Sequence, residues 1–472
     1  MTKEPSRETR TDSQRRTILK IAGGTIPLGL AGCLSGDDND GDGDDGGDGG
    51  DGGDGGDGGS DGGGDGGGGG DTITLGASLP LSGDLSVPGE GTKQGYDLAV
   101  KHVNEELGGV EIGGTTYELE MQYYDSESNP ERTPQLVQRL IQEDGIHLLM
   151  GPYGSGLSYP AASMCEQYDA TMMTVLGSST RLYHDHPNSV FGIYPAGNKY
   201  GQTWINYHMD ANSPSTVALI SENEESGLAA RKNNFESGLL PFLNSVDGLE
   251  VVVDETVPTE AQDYTSTMSK CKNAGAELLM LNAHVGQVQR ALLDSYSINY
   301  NPDGIWCKAG GFSSDDFYDS VEWRGTQVQQ STPFSVEFGG DSFLFDGVEN
   351  FASLVEEEFD TSANILNACG AAGMEVAVNA MQTVGEVPTK ENYQAYREAI
   401  ASSQTPTVAG NIGYVTDQDA AGYHQPTANF GVGGRVGDGS KYVAHVDKQA
   451  EVAGEELTYP RSTWDELESE YA

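Results

Sequence analysis

The chain has 472 residues, enough for roughly two or three domains, and a formal charge of −48, with 25 Lys and Arg against 73 Asp and Glu. No basic stripe is present for a polyanion to follow, so nucleic acid is excluded as a partner. Five cysteines without a Cys-x-x-Cys pair exclude a zinc ribbon, and the scattered Cys165, Cys271, Cys307 and Cys369 read as small buried hydrophobes.

The charge is unevenly spread. The first 33 residues carry +3, residues 34–71 carry −13 through 13 Asp with no Glu, Lys or Arg, and residues 72–472 carry the remaining −38. In the opening segment, Ser13-Gln14-Arg15-Arg16-Thr17-Ile18-Leu19-Lys20 resembles a twin-arginine export signal. The apolar stretch from Ile18 to Ala31 is broken by Gly and Pro and is too short for a stable span. It ends in Leu30-Ala31-Gly32-Cys33, which is similar to a lipobox whose Cys33 becomes the lipidated first residue of the mature protein.

Residues 34–71, mostly Asp-Gly-Gly repeats, have almost nothing to bury and predict an extended, self-repelling, disordered tether. The apolar residues that calcium-binding repeats interleave are missing from it. Signal, lipobox and tether together place a globular body on the outer face of the cell membrane, lipid-anchored. The body's surface, rich in carboxylates and poor in Lys, resembles proteins of extreme halophiles, in which salt screens self-repulsion.

The body begins with a strand over Ile73–Leu79 and a turn at Pro80–Gly83. A helix over Thr92–Leu107 follows, with Tyr96, Ala99, Val100, Val103 and Leu107 on one face. Tyr117–Tyr124 alternates as a strand, and the turn Asp125–Pro130 precedes a helix carrying Leu136, Val137, Leu140 and Ile141. Then come two strand–turn–helix units in succession. The strand Leu148–Met150 runs into Gly151-Pro152-Tyr153-Gly154-Ser155-Gly156, and the strand Thr171–Val175 into Leu176-Gly177-Ser178-Ser179-Thr180, with a helix over Pro160–Tyr168 between them. This alternation implies a parallel sheet covered on both faces.

After Phe191–Pro195 the alternation restarts. It predicts helices over Tyr200–Met209, Ala229–Leu243, Ser266–Asn273 and Gln287–Tyr296, and strands over Thr216–Ser221, Glu250–Thr256, Glu277–Asn282 and Ile305–Lys308. From Ser331 the pattern turns helical, over Val348–Phe359, Ala368–Val384 and Glu391–Ser402. Ile412–Val415 and Asn429–Tyr442 read as late strands and turns.

In an open parallel sheet, ligands bind at the carboxyl ends of the strands, where helix N-termini present free N–H donors. Gly lets a ligand approach the backbone, and Ser adds a hydroxyl that can bond a ligand or cap the helix. The two turns therefore suggest a cradle for a small anionic or zwitterionic group, although each Ser would serve equally as an ordinary cap.

Ile73-Thr74-Leu75-Gly76-Ala77-Ser78-Leu79-Pro80-Leu81-Ser82-Gly83, then Gly95-Tyr96-Asp97-Leu98-Ala99-Val100 before Asn104, then Asp125, then Gly151–Gly156, resemble the branched-chain amino acid binding proteins of ABC importers. Those proteins have the type I periplasmic binding protein fold. The resemblance covers roughly 72–450 and weakens after Ser331. It implies two doubly wound α/β lobes joined by a three-stranded hinge and closing on ligand, with 72–196 and 331–408 in lobe 1 and 197–330 and 409–472 in lobe 2.

The resemblance also implies the contacts. Within the first turn, with Tyr153, Ser155 gives its hydroxyl to the ligand carboxylate; the second gives a backbone group of Leu176 or Gly177 and then the Ser178 hydroxyl. From the second lobe the family brings an aromatic residue, here near His284, and an acidic residue that binds the ligand ammonium. Ala309 stands in that acidic place, which puts an amino acid ligand in doubt, since a buried ammonium without a carboxylate partner costs several kcal/mol. Amides, short carboxylates or aromatic acids are then alternatives.

No nucleophile elbow is present, because Tyr153 fills the first glycine place before Ser155, and Gly151, Gly154 and Gly156 have the wrong spacing for a dinucleotide site. His184-Asp185-His186 lacks a nearby third ligand and reads as a polar loop. The sequence thus predicts a monomeric, non-enzymatic solute-binding lipoprotein without cofactor or metal, partnered by a small-molecule ligand, ABC permease subunits and, through its lipid, the membrane. A subunit that loads ligand onto a membrane chemoreceptor, or an exported enzyme, are the alternatives.

Overall fold

A computed structural model describes residues 71–472, apart from 235, 309–314, 333, 421–423, 426–430, 436–440 and 445–458; for 315, 316, 337, 431–435 and 441–444 it describes the backbone alone. The expected signal, Cys33 and residues 34–70 of the tether lie outside the described residues, as does Ala309, while Asp71, expected to end the tether, begins the first strand.

The first half builds β1 (Asp71–Leu79), α1 (Ser86–Glu105), β2 (Val110–Ile112), β3 (Thr115–Asp125), α2 (Thr133–Gln142), β4 (Leu148–Met150), α3 (Gly154–Gln167), β5 (Thr171–Thr174), α4 (Thr180–Asp185) and β6 (Val190–Gly192). The strands form one sheet in the order β2-β3-β1-β4-β5-β6, parallel throughout except that β2 pairs antiparallel with β3. Strands such as Leu148–Met150 and Thr171–Thr174 are buried along their whole length, as both-face coverage by helices requires.

The second half continues with α5 (Gln202–Ala211), β7 (Thr216–Glu222), α6 (Glu225–Arg231), α7 (Leu239–Ser245), β8 (Glu250–Val257), α8 (Thr265–Asn273), β9 (Leu278–Asn282), α9 (Val285–Ser297), β10 (Gly304–Cys307), α10 (Asp315–Val321) and β11 (Val328–Thr332). Three helices follow, α11 (Val348–Phe359), α12 (Ile365–Val384) and α13 (Tyr393–Ser402), then a hairpin of β12 (Gln404–Thr407) and β13 (Gly410–Gly413). β14 (Gly431–Arg435), β15 (Lys441–Ala444) and α14 (Trp464–Tyr471) close the chain. The second sheet has the order β15-β14-β11-β10-β9-β7-β8.

The chain therefore leaves the first sheet after β6, returns after β11 to lay α12 on α1, and crosses again before β14. The α1–α12 crossing is close because glycines meet there: a Cβ at Gly95 would stand 2.2 Å from the Asn367 carbonyl oxygen, and one at Gly370 2.6 Å from that of Thr92. α12 also carries the buried Glu375, which accepts hydrogen bonds from the Ser342 hydroxyl (2.5 Å), Leu344 N–H (3.1 Å) and Val408 N–H (2.8 Å), tying two connecting segments to the helix.

Most predicted elements fall where the pattern places them, and three are corrected, the first being the helix expected from Thr92, which begins at Ser86. The single helix expected over Ala229–Leu243 is two helices: α6 stops at Arg231, where Lys232 turns extended, and α7 starts after Gly238 (φ +132°), where a Cβ would press 2.7 Å from the Ala230 and Arg231 carbonyl oxygens. The helix expected from Pro160 begins at Gly154 instead. Gly154 takes φ +75°, which a glycine adopts at little cost, and Pro160 is accommodated inside the helix. Cys165, Cys271, Cys307 and Cys369 are all buried and unpaired. No described helix is long and apolar enough to cross a membrane.

Candidate ligand-binding cleft

The two small-residue turns stand side by side because β4 and β5 are neighbours in parallel register, with Met150 opposite Met173. Each turn leaves the carboxyl end of its strand, and they form one wall of a cleft of about 240 Å³. Tyr153, Gly154, Ser155, Gly156, Leu176 and Ser178 line this wall. The α3 N-terminus has no side-chain cap, so the N–H groups of its first turn face the cleft without a partner of their own helix. The Ser155 oxygen accepts the Ser179 N–H at 3.1 Å, which leaves its own proton for an acceptor in the cleft. Ser178 is hydrogen-bonded through its side chain to Tyr200, whose hydroxyl burial pushes up in pKa.

Gly177 is turned the other way. Its carbonyl accepts the Tyr183 hydroxyl, and a Cβ on it would meet Thr174 Oγ1 at 2.9 Å rather than the cleft.

The opposite wall comes from the carboxyl ends of β7, β9 and β10, which deliver Glu224, Ser226, His284 and Lys308. His284, the first residue beyond β9 and Ala283, is half exposed and holds Glu222 twice: Nδ1 lies 2.7 Å from Oε1, and its N–H donates to Oε2 at 3.1 Å. Lys308 is only 5% exposed; its Nζ donates to Glu222 Oε1 at 2.8 Å and to Ser226 Oγ at 2.6 Å, and lies 3.5 Å from Glu224 Oε1. Burial alone would raise the Glu222 pKa, but the Lys308 charge and the His284 bond outweigh it and hold the carboxyl well below the usual carboxylate range. Burial likewise opposes the Lys308 charge, and Glu222 and Glu224 outweigh it, so its ammonium persists far into base. Glu224, Glu222 and His284 also offer three oxygen or nitrogen atoms within 4.8 Å of one another, but the cation at that point is already Lys308.

The structure thus brings Tyr153, Ser155, Leu176, Ser178 and His284 around one space. The sequence reading passed over Glu222, Glu224 and Lys308. Their signal was available: Glu222 ends the apolar strand Val217-Ala218-Leu219-Ile220-Ser221, and Lys308 directly follows Ile305-Trp306-Cys307, where a parallel strand opens onto the crevice. Outside the cleft, the halves also touch where the Ser179 hydroxyl donates to Glu225 Oε1 at 3.0 Å.

A family model for periplasmic binding proteins matches residues 72–429. The chain belongs to the periplasmic binding protein family. Among curated relatives, this periplasmic binding protein is 20% identical to the Leu/Ile/Val-binding protein homolog 7 of Brucella abortus over 321 residues, covering 66% of this chain and 77% of that one. It superposes on the branched-chain amino acid transporter substrate binding protein LivJ of Streptococcus pneumoniae, in complex with isoleucine, with a TM-score of 0.64 and 16% identity over 79% of this chain and 99% of that one. It superposes with a TM-score of 0.62 and 17% identity on an ABC transporter solute binding protein of Rhodopseudomonas palustris in complex with 3,4-dihydroxybenzoic acid, over 80% and 99%. At these identities the superpositions show the two-lobed fold, and the relatives are binding proteins rather than enzymes.

Proposed function

We propose that this periplasmic binding protein is the solute-binding lipoprotein of an ABC importer, exported by the twin-arginine route, lipidated at Cys33 and held off the outer membrane face by the Asp/Gly segment 34–71. It captures a small carboxylate-bearing solute, an amino acid or a related acid or amide, between its two lobes and carries it as a monomer to the permease subunits. The observation that carries this reading is the convergence on one cleft of an uncapped helix N-terminus with Ser155 and Ser178 from the first half, and a charged wall with His284 from the second. An uncapped helix N-terminus with the Ser155 hydroxyl beside it calls for an anionic group, and a cleft between two separately built sheets suits closure by a hinge.

The test is mass spectrometry of small molecules released by denaturing protein purified in molar salt, followed by calorimetry with the released compound. A stoichiometric carboxylate that rebinds the parent is expected. A protein that carries nothing and binds no amino acid, amide or carboxylic acid would overturn the reading.

A further inference from the structure

The cation on the second wall is the protein's own. Among three ammonium donors, Lys308 uses one on Glu222 and one on Ser226, with Glu224 beside it at 3.5 Å. Glu222 is fully buried and shared with His284. The Glu224 oxygens are also occupied: Oε2 accepts the Ser226 N–H at 2.9 Å, and Oε1 accepts the Gly227 N–H at 2.6 Å together with the Ser226 hydroxyl. The fully buried Glu222 takes no second ammonium without displacing the lysine, and an ammonium that reached Glu224 would sit beside the Lys308 charge. The first wall presents donors that suit an anion, and the rest of the lining joins the apolar Leu85, Leu157, Leu176, Ile365 and Leu366 to Tyr153, Tyr194 and Tyr200.

We propose that the Lys308 ammonium stands in for the ammonium an amino acid ligand would bring, so that the cleft prefers a small carboxylic acid without an amino group over the α-amino acid of the same carbon skeleton. This rests on the solute-binding reading above and narrows its ligand class.

The test uses matched pairs on the full-length protein in molar salt: 4-methylpentanoate against leucine and 3-phenylpropanoate against phenylalanine, with benzoate and 3,4-dihydroxybenzoate as further acids, all followed by calorimetry. The acid of a pair is expected to bind about tenfold or more tighter than its amino acid. Lys308→Ala empties the cation place and is expected to abolish that preference, the amino acid gaining affinity as its ammonium meets Glu222 and Glu224. An amino acid that binds the parent as well as its paired acid overturns the assignment of Lys308 while solute binding stands. Binding of none of the acids and neither amino acid overturns the preference, and the solute-binding reading falls with it if the protein also releases no small molecule on denaturation. Preference unchanged in Lys308→Ala also overturns the proposal, and if that variant fails to fold the matched pairs on the parent decide alone.

Discussion

Replacing Glu222 by Gln should be among the most damaging single changes in the second half of the chain. The substitution keeps the side-chain shape and removes the charge that Lys308, 5% exposed, meets at 2.8 Å, together with an acceptor for His284 Nδ1 at 2.7 Å. What remains for the ammonium is Ser226 and a more distant Glu224 at 3.5 Å. Removing one partner of a buried ion pair costs about 3–5 kcal/mol, chiefly through the uncompensated charge left behind. Urea unfolding at fixed molar salt should show a loss of that size, and because the pair is buried the loss should persist as salt rises, unlike that of an exposed pair. Glu222→Gln combined with Lys308→Met should recover most of it, since the two charges leave together. The pH dependence has a definite sign: the Glu222 carboxyl is held below its ordinary value, so its contribution is present above an unfolded pKa of about 4.3 and is lost as the pH falls below that. Parent and variant should therefore converge in acid. A Glu222→Gln protein within about 1 kcal/mol of the parent at neutral pH would refute the account of this cluster.

Ser155→Ala and Ser178→Ala should each weaken binding of the compound released from the protein by about ten- to hundredfold in calorimetry with the fold intact, because each removes a hydrogen bond to a charged group; unchanged affinity in both would reduce the serines to structural roles. His424 is buried, stacks 4.1 Å from Phe191 and donates from Nδ1 to the Val190 carbonyl at 3.1 Å, and burial pushes its pKa down to about 4. Its neutral form therefore supports the fold above an unfolded pKa of about 6.5, a contribution of roughly 3 kcal/mol that is lost as the pH falls toward its folded value; the melting curve of His424→Gln should lack that slope. With −38 on residues 72–472, thermal stability should climb steeply from low to molar potassium chloride, and a flat curve would mean locally compensated carboxylates. Cys33→Ser should release the protein into the medium or leave it uncleaved at a higher mass, and unchanged membrane extraction with unchanged mass would exclude the anchor.

The strands at the heart of both sheets were legible because a parallel strand buried on both faces is a short apolar run between turn residues, and Leu148–Met150 and Leu278–Asn282 have few other ways to pack. The first wall of the cleft was legible for the same reason: Ser155 and Ser178 follow such strands directly. β2, at the edge of the first sheet, and β11, between β10 and β14 in the second, were not, since both are set by their partners rather than by their own pattern. The break between α6 and α7 was invisible because an amphipathic reading runs across Gly238 until its φ is known. The charged wall escaped for a different reason. Glu222, Glu224, His284 and Lys308 are distant in sequence and gain meaning only when β7, β9 and β10 align their carboxyl ends.

The glycine contact between α1 and α12 has a consequence for synthesis. The residues that meet Gly91, Gly95 and Tyr96 arrive only with Ile365–Val384, after five of the seven strands of the second sheet have been made. A nascent chain stopped before that helix can pair β1, β3, β4 and β5 but leaves an apolar face uncovered, so the half that begins first is completed late. Truncations ending between β11 and α12 should accordingly aggregate or recruit holdases, whereas the ribosome need add only Ile365 onward for the first half to close.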